Sequence, residues 1–182
     1  MTATRPALPG DPNPRATVES MIRVDHAGEY GAARIYAGQL AVLGRSGSAD
    51  TLRQMQAQEQ QHLDGFVELV VRRRVRPTAL LPLWHVAGFA LGAVTAAMGE
   101  RAAMACTVAV EEAIDAHYAD QVAALDDSEA ELRATIARFR DDERHHRDVA
   151  LAHGAREAPG YRLLSAAIKA GCRAAIAISE RV

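Results

Sequence analysis

The sequence predicts an all-α fold: a four-helix bundle with a long apolar crossover segment and one additional C-terminal helix. Three observations predict it. Glu-x-x-His occurs twice, as Glu59–His62 and Glu143–His146, and each pair trails a lone glutamate, Glu29 or Glu111. The trailing distances nearly match, at 30 and 32 residues. Apolar side chains recur at spacings of three and four through four long stretches, the signature of helices with one buried face. Hydrophobic residues make up 49% of the chain and aromatics only 4%, an alanine- and leucine-rich profile suited to helix packing.

The first 16 residues hold Pro6, Pro9, Pro12 and Pro14 and no apolar core, so they are expected to form a disordered tail and not a secretory signal. Residues 17–182 are expected to form one domain, a length that can bury a sizeable core. The first predicted helix runs from about Thr17 to Leu43, with Ile22, His26, Glu29, Ala33, Tyr36 and Leu40 on one face. Gly44 and Gly47 stop it. The second runs from about Asp50 to Val71, with Leu52, Met55, Glu59, His62, Phe66 and Leu69 inward. A carboxylate and an imidazole thus interrupt an apolar stripe, and buried polar groups need partners.

From Pro77 to Gly99 there is no charged side chain, and Arg72, Arg73, Arg74 and Arg76 precede the stretch. Its length would suffice to span a bilayer, for which about 20 residues are enough. A single span, however, would put Glu29, Glu59 and His62 on one side and Glu111, Glu143 and His146 on the other. The segment is therefore expected to return to its own side as a crossover that docks on a membrane, with Trp84 and Phe89 as its largest lipid-facing groups and the arginines near anionic headgroups. Pro82, Gly88 and Gly92 argue against a straight transmembrane rod.

The next predicted helix runs from about Arg101 to Leu125. Glu111 shares a face with Met104, Val108, Ile114, Tyr118 and Val122; Glu112 shares one with Ala105, Ala109, Asp115 and Ala119, which is smaller and more polar. Glu111 is accordingly the inward residue. The fourth bundle helix opens with Ser128 and Glu131, at capping-box spacing, and ends at Gly154. Leu132, Ile136, Phe139, Glu143, His146 and Ala150 face inward, while His145, among Asp141, Asp142 and Asp148, is read as solvated. The last helix, from Tyr161, carries Leu164, Ile168, Cys172, Ala175 and Ile178 as a stripe expected to pack on the core.

One Glu from each of two helices and Glu-x-x-His from each of two others is the ligand set of a carboxylate-bridged two-metal site. Four carboxylates carry four negative charges, which two divalent ions neutralise within a core. Carboxylate and imidazole together suit iron or manganese. A single Glu-x-x-His would be read as a surface pair; two, each inward and each behind a glutamate, are not. His26, His85, His117 and His153 are left without a metal role, with His26 and His117 close enough to support the ligands. Cys106 and Cys172 form no C-x-x-C motif and are expected as buried thiols. The net charge of −2 excludes a bulk basic field for nucleic acid.

Three segments carry a resemblance to a known family: Asp25-His26-Ala27-Gly28-Glu29-Tyr30-Gly31-Ala32, Ala105 through Glu112, and Ala170-Gly171-Cys172-Arg173 with the ending Ser179-Glu180-Arg181. They are similar to the demethoxyubiquinone hydroxylases of ubiquinone biosynthesis. The resemblance implies a ferritin-like di-iron monooxygenase, peripheral to the membrane and on the cytoplasmic face if bacterial, that hydroxylates the ring of a demethoxyubiquinol with O₂. It implies two Fe ions per chain, held by Glu29, Glu59, His62, Glu111, Glu143 and His146, with His117 and Tyr118 beside the site as candidates for electron transfer. NADH is a candidate reductant. No G-x-G-x-x-G opens a βαβ unit, so it would bind unconventionally, or a partner of the same pathway would deliver the electrons. A second copy of the chain is the other partner left open. The rivals are a ferritin-like iron- or peroxide-handling protein, which does not need the charge-free segment, and a non-catalytic lipid-binding scaffold, which does not need six inward ligands.

Overall fold

The computed structural model describes residues 14–182, and the first 13 residues of the expected tail lie outside them. Six helices follow in order: α1 (Pro14–Leu43), α2 (Ala49–Arg73), α3 (Leu81–Ala97), α4 (Glu100–Ala124), α5 (Ala130–Ala152) and α6 (Tyr161–Ser179). No strand occurs among the described residues. α1 starts at Pro14, three residues before the predicted boundary, so residues 14–16 are helical and not part of the tail. Proline in a first turn sacrifices no intrahelical hydrogen bond.

The two halves of the chain, α1–α2 and α4–α5, are helical hairpins that meet face to face, with α3 crossing between them. α4 is the central element. Nine consecutive residues, Ala102–Val110, are buried, most of them alanine or other small residues. Small side chains on every face let neighbouring helices approach from all sides, and such a helix is buried all round. One end of the core joins Ile22, Phe66, Leu69, Tyr118, Leu132, Ile136 and Phe139; the other joins Tyr36, Leu52, Met55, Met104 and Val108.

One helix start differs from expectation. α5 is not opened by a Ser128–Glu131 capping box. Asp126 instead accepts the Ser128 backbone N–H at 2.8 Å, caps a short 3-10 turn at Asp127–Glu129, and α5 follows from Ala130. The Ser128 hydroxyl also donates to Asp126 at 2.5 Å, so the side chain a capping box would use is committed to a charged acceptor two residues back. α2 ends at Arg73, a little beyond Val71, and Arg74 caps it in the left-handed region at φ 55°, with its N–H returning to the last turn.

The crossover is one regular helix. Gly88 and Gly92 do not break it; they seat it. A Cβ at Gly92 would overlap the Ile35 carbonyl oxygen of α1, one at Gly38 would overlap the Phe89 carbonyl oxygen of α3, and one at Gly88 would lie 2.8 Å from the Gly31 oxygen. α1 and α3 thus touch backbone to backbone, the most extensive helix contact in the fold. Pro82 sits in the first turn, where it is tolerated. Among the described residues no helix is long and apolar enough to cross a membrane.

Two further expectations need correcting. Trp84 is half-buried and its Nε1 donates to Ser179 Oγ on α6 at 3.1 Å, so it joins two helices and is not a free lipid contact. Arg72 and Arg73 pair with Glu131 and Glu129 at 2.9 and 2.5 Å, which anchors α2 to the start of α5 and leaves only Arg74 and Arg76 of the cluster without an ion pair among the described residues. α6 packs on the core as expected, with Ile168 among Ile35, Cys106, Ala109 and Val110 and with Leu164 and Cys172 against them, while Ile178 at its end is 44% exposed.

Candidate metal centre

Each helical hairpin brings three side chains to the middle of the bundle. α1 supplies Glu29 and α2 supplies Glu59 and His62; α4 supplies Glu111 and α5 supplies Glu143 and His146. None is more than 2% exposed. They fall into two groups, Glu29–Glu59–His62–Glu143 and Glu59–Glu111–Glu143–His146, each with one potential ligand atom per residue within 4.8 Å of the others. Glu59 and Glu143 belong to both groups, which is the placement bridging carboxylates require. The geometry brings together all six residues singled out from the sequence.

The donor chemistry fits a pair of cations. Both oxygens of Glu59 and one each of Glu29, Glu111 and Glu143 are buried without a hydrogen-bond donor. Such oxygens are costly in a core unless positive charge faces them. His62 Nδ1 lies 3.1 Å from Glu143 and 3.6 Å from Glu29; His146 Nδ1 lies 3.0 Å from Glu59 and 3.3 Å from Glu143. Burial and the neighbouring Glu143 carboxylate hold Glu59 and Glu111 well above the usual carboxylate range. Burial pulls the His62 imidazole down, but hydrogen bonds to Glu143 and Glu29 outweigh it and push it up to about 11. The array attracts positive charge.

A ring of supporting residues surrounds it, with quasi-twofold symmetry. Tyr36 of α1 donates to Glu111 Oε1 at 2.8 Å, and Tyr118 of α4 donates to Glu29 Oε1. On the outer side, His62 Nε2 meets Asp142 Oδ2 at 3.2 Å and His146 Nε2 meets Gln58 Oε1 at 3.0 Å. With cations bound in place of the Nδ1 proton, these oxygen acceptors would keep the ring proton on Nε2 and turn the Nδ1 lone pair toward the metal. Tyr36, Asp142 and Gln58 were missed as functional residues in the sequence. The signal was present: Tyr36 follows Glu29 by seven residues as Tyr118 follows Glu111, and Gln58 and Asp142 each immediately precede the Glu of a Glu-x-x-His.

His117 lies outside both groups. Its Nε2 is 3.3 Å from buried Asp25 Oδ1, which also accepts from Gln121 Nε2 at 2.8 Å. Burial pushes Asp25 up to about 6, and Asp25 in turn raises His117. Asp25 stands one helical turn before Glu29, so this cluster links the half-buried His117 to the edge of the centre. Glu112 turns away, bound to Lys169 of α6 at 2.8 Å. His145 is exposed, as expected.

Next to the centre lies an apolar cavity of about 570 Å³, walled by α1, α3, α4 and α6. Gly28 and Gly31 flank Glu29 on its wall, and Val110 stands next to Glu111. Trp84, Leu91, Ile168 and Cys172 complete it toward the exposed faces of α3 and α6. α6 is half-exposed because its stripe lines this space.

The family model described as Ubiquinone biosynthesis protein COQ7 matches residues 16–179. A 3-demethoxyubiquinol 3-hydroxylase of Rhodospirillum rubrum is 61% identical over 176 residues, 96% of this chain and 83% of that protein. The human protein named NADPH-dependent 3-demethoxyubiquinone 3-hydroxylase, mitochondrial, is 55% identical over 172 residues, 92% of this chain and 79% of its own. A yeast protein, 5-demethoxyubiquinone hydroxylase, mitochondrial, is 40% identical over 92% of this chain. With a match that spans nearly every described residue and includes both halves of the centre, the chain belongs to the COQ7 family of ubiquinone biosynthesis proteins.

Proposed function

We infer that this chain is a 3-demethoxyubiquinol 3-hydroxylase, a monooxygenase that places one atom of O₂ on the quinol ring. The observation that carries the reading is the pair of buried Glu/His groups sharing Glu59 and Glu143, set against an apolar cavity. Relatives that bear the hydroxylase name support it. Two iron ions would be held by Glu29, Glu59, His62, Glu111, Glu143 and His146, and when bound they supply O₂ activation.

The chain's own residues do the rest. Tyr36 and Tyr118 hold the two lone glutamates in place. Asp142 and Gln58 orient the two imidazoles. The cavity excludes water and takes a quinol ring against the turns that carry Glu29 and Glu111. The second oxygen atom leaves as water, which takes two electrons and two protons. The His117–Asp25–Gln121 cluster is the candidate route for those protons, and the electrons come from a reduced nicotinamide. The relatives' names specify NADPH where the sequence suggested NADH. An isoprenoid tail lives in lipid, and the exposed apolar side chains Leu83, Val86 and Val94 of α3 would rest on a bilayer, peripherally. Residues 17–182 act as one domain in this reading.

Anaerobic loading with ferrous iron, then a demethoxyubiquinol analogue and O₂, tests it. The expected product is heavier by one oxygen atom, with the label from ¹⁸O₂. Consumption of O₂ with no change in the quinol would overturn it.

A further inference from the structure

On the other side of α1 from the apolar cavity lies a second, polar one of about 450 Å³, between α1, α2 and the first turns of α3. Tyr30 and Arg34 of α1, Arg53, Gln56 and Gln60 of α2, and His85 of α3 line it, and no carboxylate does. We propose that this pocket is a binding site for a phosphate group, with Arg34 as its anchor.

Arg34 carries the inference. It is half-buried, its Nε is closed off from solvent without a hydrogen-bond partner, and it forms no ion pair among the described residues. Its guanidinium lies 5.2 Å over the ring of Phe89, which holds the group flat. Arg72, Arg73, Arg101, Arg133, Arg140 and Arg144 each meet a carboxylate, and Arg34 meets none among the described residues. An arginine held in place, partly desolvated and left without an anion is the arrangement that anion recognition requires, because the fork of N–H groups matches two phosphate oxygens.

The rest of the lining supplies donors. The Arg53 guanidinium is fixed by Asp50 Oδ1 at 2.7 Å and the Gly44 carbonyl at 2.6 Å, which uses two of its five N–H groups. Tyr30 Oη meets His85 Nδ1 at 2.7 Å. With the hydroxyl donating, the imidazole keeps its proton on Nε2 as a further donor. The Gln56 side chain contributes an amide.

A phosphate could come from two sources. One is the nucleotide reductant, since Tyr30 adjoins Glu29 and Gln60 adjoins Glu59 in sequence, which sets the pocket one layer outside the metal centre. The other is a phospholipid headgroup, since Phe89 and His85 belong to the helix that would rest on a bilayer. The site does not depend on the hydroxylase reading; only the nucleotide source draws on it.

The sole tryptophan, Trp84, adjoins His85 and gives a fluorescence readout in the full chain. Pyrophosphate, NADPH and vesicles of phosphatidylcholine with phosphatidylglycerol are titrated separately into the wild type, Arg34→Gln, Arg34→Lys and, as a charge control on α5, Arg138→Gln. Loss of a charge-assisted fork should weaken binding by about tenfold or more in Arg34→Gln. Arg34→Lys, which keeps the charge but not the fork, should fall between, and Arg138→Gln should match the wild type. Weakening of pyrophosphate and NADPH assigns a soluble phosphate; weakening for vesicles alone assigns a headgroup. Should Arg34→Gln fail to fold, judged by circular dichroism, His85→Ala and Arg34→Lys take its place with the same ordering expected. Binding unchanged in these variants, no binding of any probe, or equal weakening in Arg138→Gln overturns the proposal.

Discussion

Glu111 and Glu112 stand side by side in the chain and do opposite things. Glu111 is 1% exposed and bonded to Tyr36, whereas Glu112 reaches out to Lys169. Glu111→Ala should abolish hydroxylation and lower the iron content, while Glu112→Ala should stay within roughly twofold of wild type, since exposed pairs contribute little. Iron quantification beside product analysis checks both, and equal losses in two folded variants would contradict the assignment. The same reasoning applies to Asp142. Supporting residues of this kind typically change metal affinity by about 10- to 100-fold, so Asp142→Asn should weaken iron binding by that order and alter only one of two Mössbauer doublets. The six inward residues were legible from periodicity alone, because two turns of helix put them on an apolar face. Tyr36, Asp142 and Gln58 were not, because a tyrosine or glutamine on an ordinary helix has many uses and only the cross-bundle contact reveals which. Cys106 is buried as expected, whereas Cys172 is only half-buried, on the cavity wall. Burial pushes Cys106 up to about 12 and Cys172 up to about 11. A raised thiol keeps its proton in the folded state, so its contribution to stability is intact below about pH 9 and declines as pH climbs toward 11 or 12. Iodoacetamide at pH 8 should therefore label native protein far more slowly than unfolded protein; equal rates would contradict it.

Among the elements, α3 departs most from what the sequence suggested. A charge-free run with two glycines and a proline reads as a membrane-docking crossover, because a helix's partner cannot be read from its own residues. The structure shows a straight helix pressed onto α1 through Gly38, Gly88 and Gly92. Gly92→Val should cost about 1–3 kcal/mol or more, since backbone atoms cannot move aside for the added methyls. Urea unfolding followed by circular dichroism measures it; a loss under about 0.5 kcal/mol, the range of a neutral surface change, would mean that the helices separate easily. α6 turns its stripe to the core as expected, but the period alone does not reveal that the same residues also wall a cavity.

For the whole molecule, the consequence is an apolar side that continues from the cavity to the outside. Leu83, Val86 and Val94 are 54%, 65% and 60% exposed. Replacing all three with Ser should release the protein from liposomes without unfolding it, and should depress turnover of a long-tailed quinol much more than of a short-tailed analogue. Retention on liposomes would remove α3 as the docking element. Trp84→Ser should behave differently: it cuts the link to Ser179 and opens the cavity wall, so both substrates should suffer. The half-site reasoning that ruled out a single span holds, since all six residues meet in one place.

That meeting has a thermodynamic side. Each metal group takes residues from both hairpins, so neither α1–α2 nor α4–α5 can complete a site alone. A metal pair bound there would be a clasp between two half-proteins joined through α3 and the turn at Gly99, where φ is +113°. Its binding free energy would hold the halves together, and chelation should lower the melting temperature with the logarithm of the free metal concentration. The same clasp closes equally well on hairpins from two different chains. Concentrated metal-free protein warmed and then supplied with iron is the condition under which exchanged dimers would form, each with two intact centres.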